Sequence, residues 1–191
     1  MDVLGRCQQS GWLWASLTMG ATLLLSGAVG AQSLTAPVLK AGFLYNFAKF
    51  AQWPAEVLAQ GAPLSLCIVG DGALAEALAQ AVKGQGIDGH RLTVTVITGD
   101  GPIRDCHLLY VSGLDRKQAV RLLDTMKNSA AFTVSDGDHF AEMGGVAQLI
   151  LESSRLRIVV NLDAVHRARL TISSKLLSLA QIVKDGPDVL P

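Results

Sequence analysis

The chain has 191 residues, half of them hydrophobic, and its 16 basic and 16 acidic residues give a formal net charge of zero. This balance argues against a general nucleic-acid-binding protein, which carries a basic excess. The apolar content argues against intrinsic disorder. The length suits one domain plus an appendage better than two domains.

The appendage is the N-terminal segment. Residues 12–29 carry no charge, and small residues follow the leucine run at residues 23–25. This order is typical of a secretory signal peptide over residues 1–31, with cleavage after Ala31. A retained membrane anchor is the alternative, because the uncharged run is just long enough to span a bilayer. The small residues after the leucine run and the lack of a charged stop-transfer sequence favour cleavage.

Cleavage would leave about 160 residues, residues 32–191, which is enough for one domain with one core. The mature chain stays neutral, keeps Trp53 as its sole tryptophan, and keeps two cysteines, Cys67 and Cys106. An exported bacterial-type chain of this kind is expected in the periplasm, which is oxidising.

The first predicted element of the mature chain is a helix over residues 37–52. Pro37 suits the first helical turn, and Trp53-Pro54 ends the pattern, because proline disfavours helix at the residue before it. The large apolar residues that share one side are Leu39, Phe43, Phe47 and Phe50.

Strand-like and helix-like segments then alternate along the chain. The predicted strands are residues 64–69, 92–97, 106–112 and 131–135, and the predicted helices are residues 73–83 and 115–127. This alternation predicts an α/β domain with a mixed, largely parallel sheet flanked by helices.

The last third of the chain predicts a C-terminal hairpin and a closing helix. Residues 146–151 and 157–162 are strand-like, and the five residues between them suit an antiparallel hairpin. The closing helix is predicted over residues 174–183, with Ser173 or Ser174 as its cap. Its inward side would carry Leu176, Leu179 and Val183.

Three motifs could carry chemistry, but each has a plainer structural interpretation. Residues 70–75 match the G-x-G-x-x-A dinucleotide pattern, yet Asp71 would repel pyrophosphate and no acidic ribose partner lies about 20 residues on. A tight turn with Asp71 as helix cap is favoured. Residues 135–139 with Glu142 offer oxygen ligands without EF-hand spacing, so a polar turn is favoured over a metal site. Residues 173–175 lack the S-x-x-K spacing of a hydrolase. We therefore expect no catalytic residues, no metal and no cofactor.

Two features suggest binding to another molecule. Trp53 is either core packing or an anchor for a partner or ligand, since tryptophan is favoured at binding hot spots. The second feature is a local basic cluster in a neutral protein, which is either a solvated face or a contact for an acidic surface. The cluster consists of His166, Arg167, Arg169 and Lys175.

Seven segments in order resemble the YfiR-like family of periplasmic proteins, long catalogued as a domain of unknown function. They are residues 40–54 (KAGFLYNFAKFAQWP), 66–71 (LCIVGD), 106–112 (CHLLYVS), 132–136 (FTVSD), 140–145 (FAEMGG), 157–164 (RIVVNLDA) and 172–183 (ISSKLLSLAQIV). Each segment alone is weakly specific, and together they cover nearly the whole mature chain.

The resemblance implies a small, non-enzymatic α/β domain, often dimeric, so a homodimer is one expectation. Well-understood members bind the periplasmic part of an inner-membrane diguanylate cyclase, hold it inactive and restrain biofilm formation. The implied partner is thus an inner-membrane sensor or cyclase, contacted next to the membrane without spanning it. We expect four residues to make this contact: Trp53, Asn161, Arg169 and Lys175.

The resemblance also bears on the two cysteines, because Cys67 and Cys106 fall where the family carries a disulfide-forming pair. Two buried free thiols are the alternative. A second pair found in some members is absent here, which puts in doubt any redox switching that needs two bridges.

Two other functions stay open at this point. One is a periplasmic small-molecule-binding module feeding a sensor kinase or transporter, with a site near Trp53, Gly144 and Gly145. The other is an oxidoreductase that uses residues 70–75.

Overall fold

The structure, a computed structural model, describes residues 35–99, 101–152 and 155–186. The predicted signal peptide and its cleavage site lie outside the described residues. The helices are α1 (Ala36–Phe50), α2 (Gly72–Ala81), α3 (Arg116–Met126), α4 (Leu162–Arg167) and α5 (Ser174–Leu177), with a short 3-10 helix at Ile103–Asp105.

The strands lie mostly in one mixed sheet. They are β1 (Ala51–Gln52), β2 (Leu64–Val69), β3 (Gly86–Ile87), β4 (His90–Ile97), β5 (Leu108–Val111), β6 (Phe132–Ser135), β7 (Ala147–Glu152), β8 (Arg155–Asn161), β9 (Thr171–Ile172) and β10 (Ala180–Val183). In the described part of the chain, eight of them follow the spatial order β10-β8-β7-β6-β5-β2-β4-β3, and β1 pairs with β9.

The centre of the sheet is parallel, which confirms the predicted fold class. Strand β2 pairs in parallel with both β4 and β5, and β6 and β7 continue in parallel. The exceptions are the antiparallel pairs β3–β4 and β7–β8. The chain therefore runs from β2 outward to β4 and then crosses back to place β5 on the other side of β2.

Alternate residues of the central strands pack on opposite faces of the sheet. Leu66, Ile68 and Tyr110 belong to the core under α1 and α2. Leu109 and Val111 belong to a second core under α3. The sheet is thus covered on both sides, as continuous apolar strands require.

Local capping fixes where two of the helices begin. The Asp71 carboxylate accepts a hydrogen bond from the Leu74 amide at 2.9 Å, so this residue caps α2 as predicted. Asp115 and Gln118 form a capping box at the start of α3. Each cap satisfies an amide that the helix itself leaves unpaired.

Helix α1 ends two residues earlier than predicted, and its buried side is not centred on the predicted apolar stripe. Ala51 and Gln52 are extended and pair with β9 instead of continuing the helix. Of the predicted apolar stripe only Phe47 is fully buried, and the rest of the buried side is smaller: Ala41, Leu44 and Ala48. Small residues let α1 lie close to the layer beneath it.

The predicted closing helix is correct only over α5. Ser173 caps it, and Leu176 is buried, but Ala180–Val183 form β10 and pair in parallel with β8. Leu179, predicted to face inward, is 75% exposed. The backbone groups of β8 need partners, and this requirement outweighs the helical pattern of the segment.

The predicted hairpin is present, but its connection is shorter than expected. Glu152 pairs with Arg155, so two residues separate β7 from β8 instead of five. The short helix α4, which sequence patterns missed, follows β8 directly.

Cys67 and Cys106 form a disulfide. Cys67 lies in β2, and Cys106 lies two residues before β5, whereas it was predicted to be the first residue of that strand. The bond therefore joins β2 to the residues just before β5.

Within the described residues, the structure contains no helix that is both long enough and apolar enough to cross a bilayer.

Removing the disulfide should lower the free energy of unfolding. The bond joins residues 39 positions apart, and closing such a loop is worth about 4 kcal/mol in the chain-entropy model. We expect the double variant Cys67→Ala/Cys106→Ala to lose about 2–4 kcal/mol in urea denaturation. A reducing agent should bring the wild type to the stability of the variant and leave the variant unchanged. A loss below roughly 1 kcal/mol would contradict this account.

Candidate functional site

The two-stranded sheet β1–β9 brings Trp53 next to the segment that carries Arg169 and Lys175. Gln52 pairs with Thr171, and the Ser173 amide donates to the Phe50 carbonyl at 2.9 Å. Three of the four residues predicted to contact a partner thus lie at one end of the molecule, although more than 100 positions separate Trp53 from the others.

Trp53 is half-buried and tied to the core. Its indole Nε1 donates to the His107 carbonyl at 3.1 Å, and its ring meets the His107 ring edge-on with centroids 6.1 Å apart. Much of the Trp53 side chain is therefore packed against the core, and the rest of it is accessible to solvent.

His107 holds the segment after Trp53 in place. Its Nδ1 accepts from the Ser65 amide at 3.1 Å, which leaves the proton on Nε2, directed to the Val57 carbonyl at 3.5 Å. Burial, together with the nearby charge of His90, lowers the pKa of His107 below its ordinary value, against the opposing hydrogen bond to Val57. The neutral imidazole is thus the form that fits this site.

The basic side chains of this end are exposed. Arg169 adopts a left-handed backbone conformation with φ of 56° and pairs with Glu56 at 2.9 Å. Such an exposed ion pair contributes at most about 1 kcal/mol, so Arg169 can exchange this partner for another. Lys175 is exposed in the first turn of α5.

Asn161 does not belong to this surface. It is completely buried, its Nδ2 donates to the Ala141 carbonyl and to Asp185, both at 2.7 Å, and its Oδ1 caps α4. Asn161 is therefore not exposed for a partner contact, contrary to the prediction. Its side chain joins the chain segments around α4.

An exposed apolar edge continues from Lys175. Strand β10 is the last strand of the sheet within the described residues, pairing with β8 alone. Leu179, before the strand, and Ile182, within it, are 75% and 44% exposed. Sequence patterns missed this edge, because the segment was predicted to be helical with Leu179 inside.

Gly144 and Gly145 lie apart from Trp53. A Cβ on Gly145 would lie 2.2 Å from Phe140 Cε1, so only glycine fits there. Gly144 lines a cavity of about 550 Å³ whose lining does not include Trp53. The structure thus does not bring the three residues of the predicted ligand site together.

A polar cluster that sequence reasoning missed lies where the chain crosses back, at the carboxyl ends of β2, β5 and β6. Lys40 of α1 donates to Asp136 at 2.6 Å and to the Tyr110 hydroxyl at 3.1 Å. Ser112 donates to the same carboxylate at 3.2 Å, and Asp71 lies 3.9 Å from Lys40. The sequence feature that could have indicated this cluster is Lys40, a charged residue one turn before Leu44 on the apolar side of α1.

Within the cluster, the pKa values of Lys40, Tyr110 and Asp136 are shifted. Burial raises the pKa of the Asp136 carboxyl, but the hydrogen bond and charge of Lys40 outweigh it, so the pKa lies below 3.8. Burial alone would lower the pKa of Lys40. The hydrogen bonds from Lys40 to Asp136 and Tyr110 outweigh burial, so the pKa is raised above the ordinary 10.5. Burial raises the pKa of Tyr110 to about 12. At neutral pH the cluster is an ion pair beside a neutral phenol.

The remaining motifs have structural partners. Asp71 points back to its own helix, and a Cβ on Gly70 would lie 2.4 Å from the Ser112 carbonyl. Gly70 and Asp71 therefore form a tight turn into α2. His139 pairs with Glu142 at 2.6 Å. Residues 35–99, 101–152 and 155–186 contain no group of three His, Cys, Asp or Glu side chains that could hold a metal.

Comparison with known proteins gives a family match over most of the chain. The profile of a family described as YfiR/HmsC-like matches residues 37–181. Among solved structures, the chain is similar to a conserved domain protein from Vibrio cholerae O1 biovar eltor str. N16961, at 13% identity and a TM-score of 0.47. That similarity covers 80% of this chain and 61% of the other, so this chain spans less than two thirds of its length. No match was found among curated proteins.

Acid should destabilise the protein through His107. A histidine with a lowered folded-state pKa favours the unfolded chain as pH falls below about 6.5. We expect His107→Asn, which keeps an acceptor near the Ser65 amide, to flatten the loss of unfolding free energy between pH 7.5 and 5.5. Urea titrations followed by Trp53 fluorescence measure this. The exposed His166→Asn variant should keep the wild-type slope, and an unchanged slope in His107→Asn would refute the assignment.

Lys40 and Asp136 should be coupled in a double-mutant cycle. We expect Lys40→Met, Asp136→Asn and the double variant to give a coupling energy of roughly 1–2 kcal/mol at pH 7. Because the pKa of Asp136 is lowered, this coupling should be lost as pH falls below 3.8. It should also be lost at high pH, as the pH rises through the raised pKa of Lys40.

The exposed pair Arg157–Glu152 is the matched control for this cycle. Its coupling should stay below about 1 kcal/mol. Equal coupling in the two cycles would show that partial burial does not strengthen the Lys40–Asp136 pair.

Proposed function

We propose that this chain, which belongs to the YfiR/HmsC-like family of periplasmic regulators, represses an inner-membrane signalling protein by binding its periplasmic sensor part. A diguanylate cyclase is the partner that we favour, so that the protein would lower cyclic-di-GMP and restrain biofilm formation. The family match carries this proposal. The disulfide supports it, because such bonds persist in oxidising compartments such as the periplasm.

We place the contact on the C-terminal segment, residues 169–183. Arg169 and Lys175 supply exposed positive charge there, and Leu179 and Ile182 supply exposed apolar surface. Trp53 borders the segment through the pairing of β1 with β9. A partner that covers this segment would gain apolar burial from the two aliphatic side chains and orientation from the two cations.

The outer edge of β10 adds a mode of recognition. Its outward backbone groups have no strand partner within the described residues. An exposed edge of this kind can take up an extended segment of another protein as a further strand. Main-chain hydrogen bonds would then supply affinity. Contacts of Leu179 and Ile182 with the side chains of that segment would supply specificity.

Repression requires that the protein prefer one state of its partner. A binding protein shifts an equilibrium between active and inactive states only by its difference in affinity for the two. A rigid α/β body stapled by Cys67–Cys106 suits this role, because little ordering free energy is lost when it binds.

Substitution on the C-terminal segment should abolish repression without unfolding the protein. We expect deletion of the gene to raise cyclic-di-GMP, re-expression of the wild type to restore it, and Leu179→Asp/Ile182→Asp to fail to do so. The exposed control Val96→Asp, at a residue 54% exposed on β4, should restore repression. Cyclic-di-GMP and biofilm mass are the measurements, with periplasmic protein levels matched by immunoblot.

Unchanged cyclic-di-GMP on deletion, together with no inner-membrane protein cross-linked to the wild type, would overturn the proposed function. Full repression by the Leu179→Asp/Ile182→Asp variant would move the contact away from the C-terminal segment.

A further inference from the structure

The edge of the sheet opposite β10 is formed mainly by β4. Strand β3 pairs only with His90 and Arg91 at the start of β4, and β2 pairs with residues 92–97 on the inner side. Within the described residues, no strand covers the outer side of residues 92–97. This stretch, the β4 edge, lies at the far side of the sheet from the proposed partner contact on β10.

The hairpin between β3 and β4 shows which backbone groups of β4 face outward. Its turn holds two residues, both with positive φ (50° and 85°), so the flanking Ile87 and His90 exchange backbone hydrogen bonds. The backbone groups of successive strand residues point alternately to the two sides of the strand. Val94 and Val96 therefore direct their N–H and C=O groups away from β2, as His90 does. An incoming extended segment can pair with these groups.

A groove of about 640 Å³ lies beside the β4 edge, between β4 and the end of α2. Its volume falls in the range of ligand sites, roughly 300–1,000 Å³. Leu92 and Val94 line it from β4, and Ala79 and Val82 line it from α2 and the residue that caps it. Val96, 54% exposed, continues the apolar surface along the strand. A segment paired with β4 would place every second side chain on this side of the sheet, against that surface.

The charged side chains that line the groove are basic. Lys83, just after α2, and Arg91 are both exposed, and neither side chain has an ion pair or hydrogen bond among the residues that the structure describes. His90 is held by the Ala62 carbonyl at 2.7 Å. The lining contains no Asp or Glu, and Asp88 at the tip of the hairpin is not part of it. The two unpartnered cations thus favour an acidic segment over a basic one.

From the open strand edge, the groove beside it and the two unpartnered cations, we propose that the β4 edge binds an extended acidic segment of another protein as an added strand. The backbone of Val94 and Val96 pairs with that of the segment. A side chain of the segment lies in the groove, and its carboxylates pair with Lys83 and Arg91. The proposal does not depend on the repressor function, because the two surfaces lie at opposite edges of the sheet.

A phage-displayed library of random peptides, selected against the purified protein, is the probe. We expect the selected peptides to combine acidic residues with β-branched ones, because the first pair with the cations and the second suit a strand. Amide shifts in NMR spectra with a selected synthetic peptide should concentrate at residues 83–86 and 92–97. Selection of basic peptides, failure to select any peptide, or shifts concentrated at β10 would overturn the proposal.

Charge variants test the two cations. Lys83→Glu/Arg91→Glu should weaken the selected peptide at least about tenfold. The matched control Lys117→Glu/Arg121→Glu, at exposed positions on α3, should bind as the wild type does. Val96→Asp places a carboxylate on the β4 edge and should weaken the peptide too, while repression is retained. Wild-type affinity in Lys83→Glu/Arg91→Glu would refute the site.

Methylation of the peptide backbone tests the strand pairing without any change to the protein. Only every second amide of an added strand faces its neighbour, so methylation of one alternate set of nitrogens should abolish binding and methylation of the other set should be tolerated. Equal effects of the two sets would refute strand addition. Dimerisation of the free protein that Val96→Asp abolishes would show that a second copy covers the β4 edge, and would overturn the proposal.

Discussion

The crossing of the chain from β4 back to β5 is the constraint on which the rest of the structure depends. Strand β5 pairs with β2 and not with its predecessor in the sequence, so the return connection must be held in register. The Cys67–Cys106 disulfide and the Ser65–His107 hydrogen bond both join β2 to the residues just before β5. Trp53 bonds to the same residue, His107, so the end of α1 is anchored at the same place.

This crossing also explains where the polar groups gather. In open α/β sheets, the carboxyl ends of strands diverge where the strand order reverses, which leaves a crevice. Here Lys40, Tyr110 and Asp136 fill that crevice with their own ion pair and hydrogen bonds. Side chains of the protein thus occupy the position where open α/β sheets commonly bind a ligand.

The sequence predicts the centre of the fold well, because buried parallel strands are continuous apolar runs and their helices begin at Asp71 and Asp115. It predicts the C-terminal end poorly. The apolar residues after Ser173 have helical spacing, yet Ala180–Val183 form a strand because they pair with the free edge of β8. The pairing of Lys40 with Asp136 spans 96 positions, and no local pattern reports such a contact. Asn161 lies in the predicted hairpin and is expected at the partner contact, but its side chain is buried and caps α4.

The cavity lined by Gly144 and the edge of β10 meet at one residue, Asp185. It lies two residues after β10, lines the cavity, and holds both Arg167 and Asn161. Asp185 therefore joins α4, through Arg167, to the end of β8, through Asn161, and fixes the chain directly after β10.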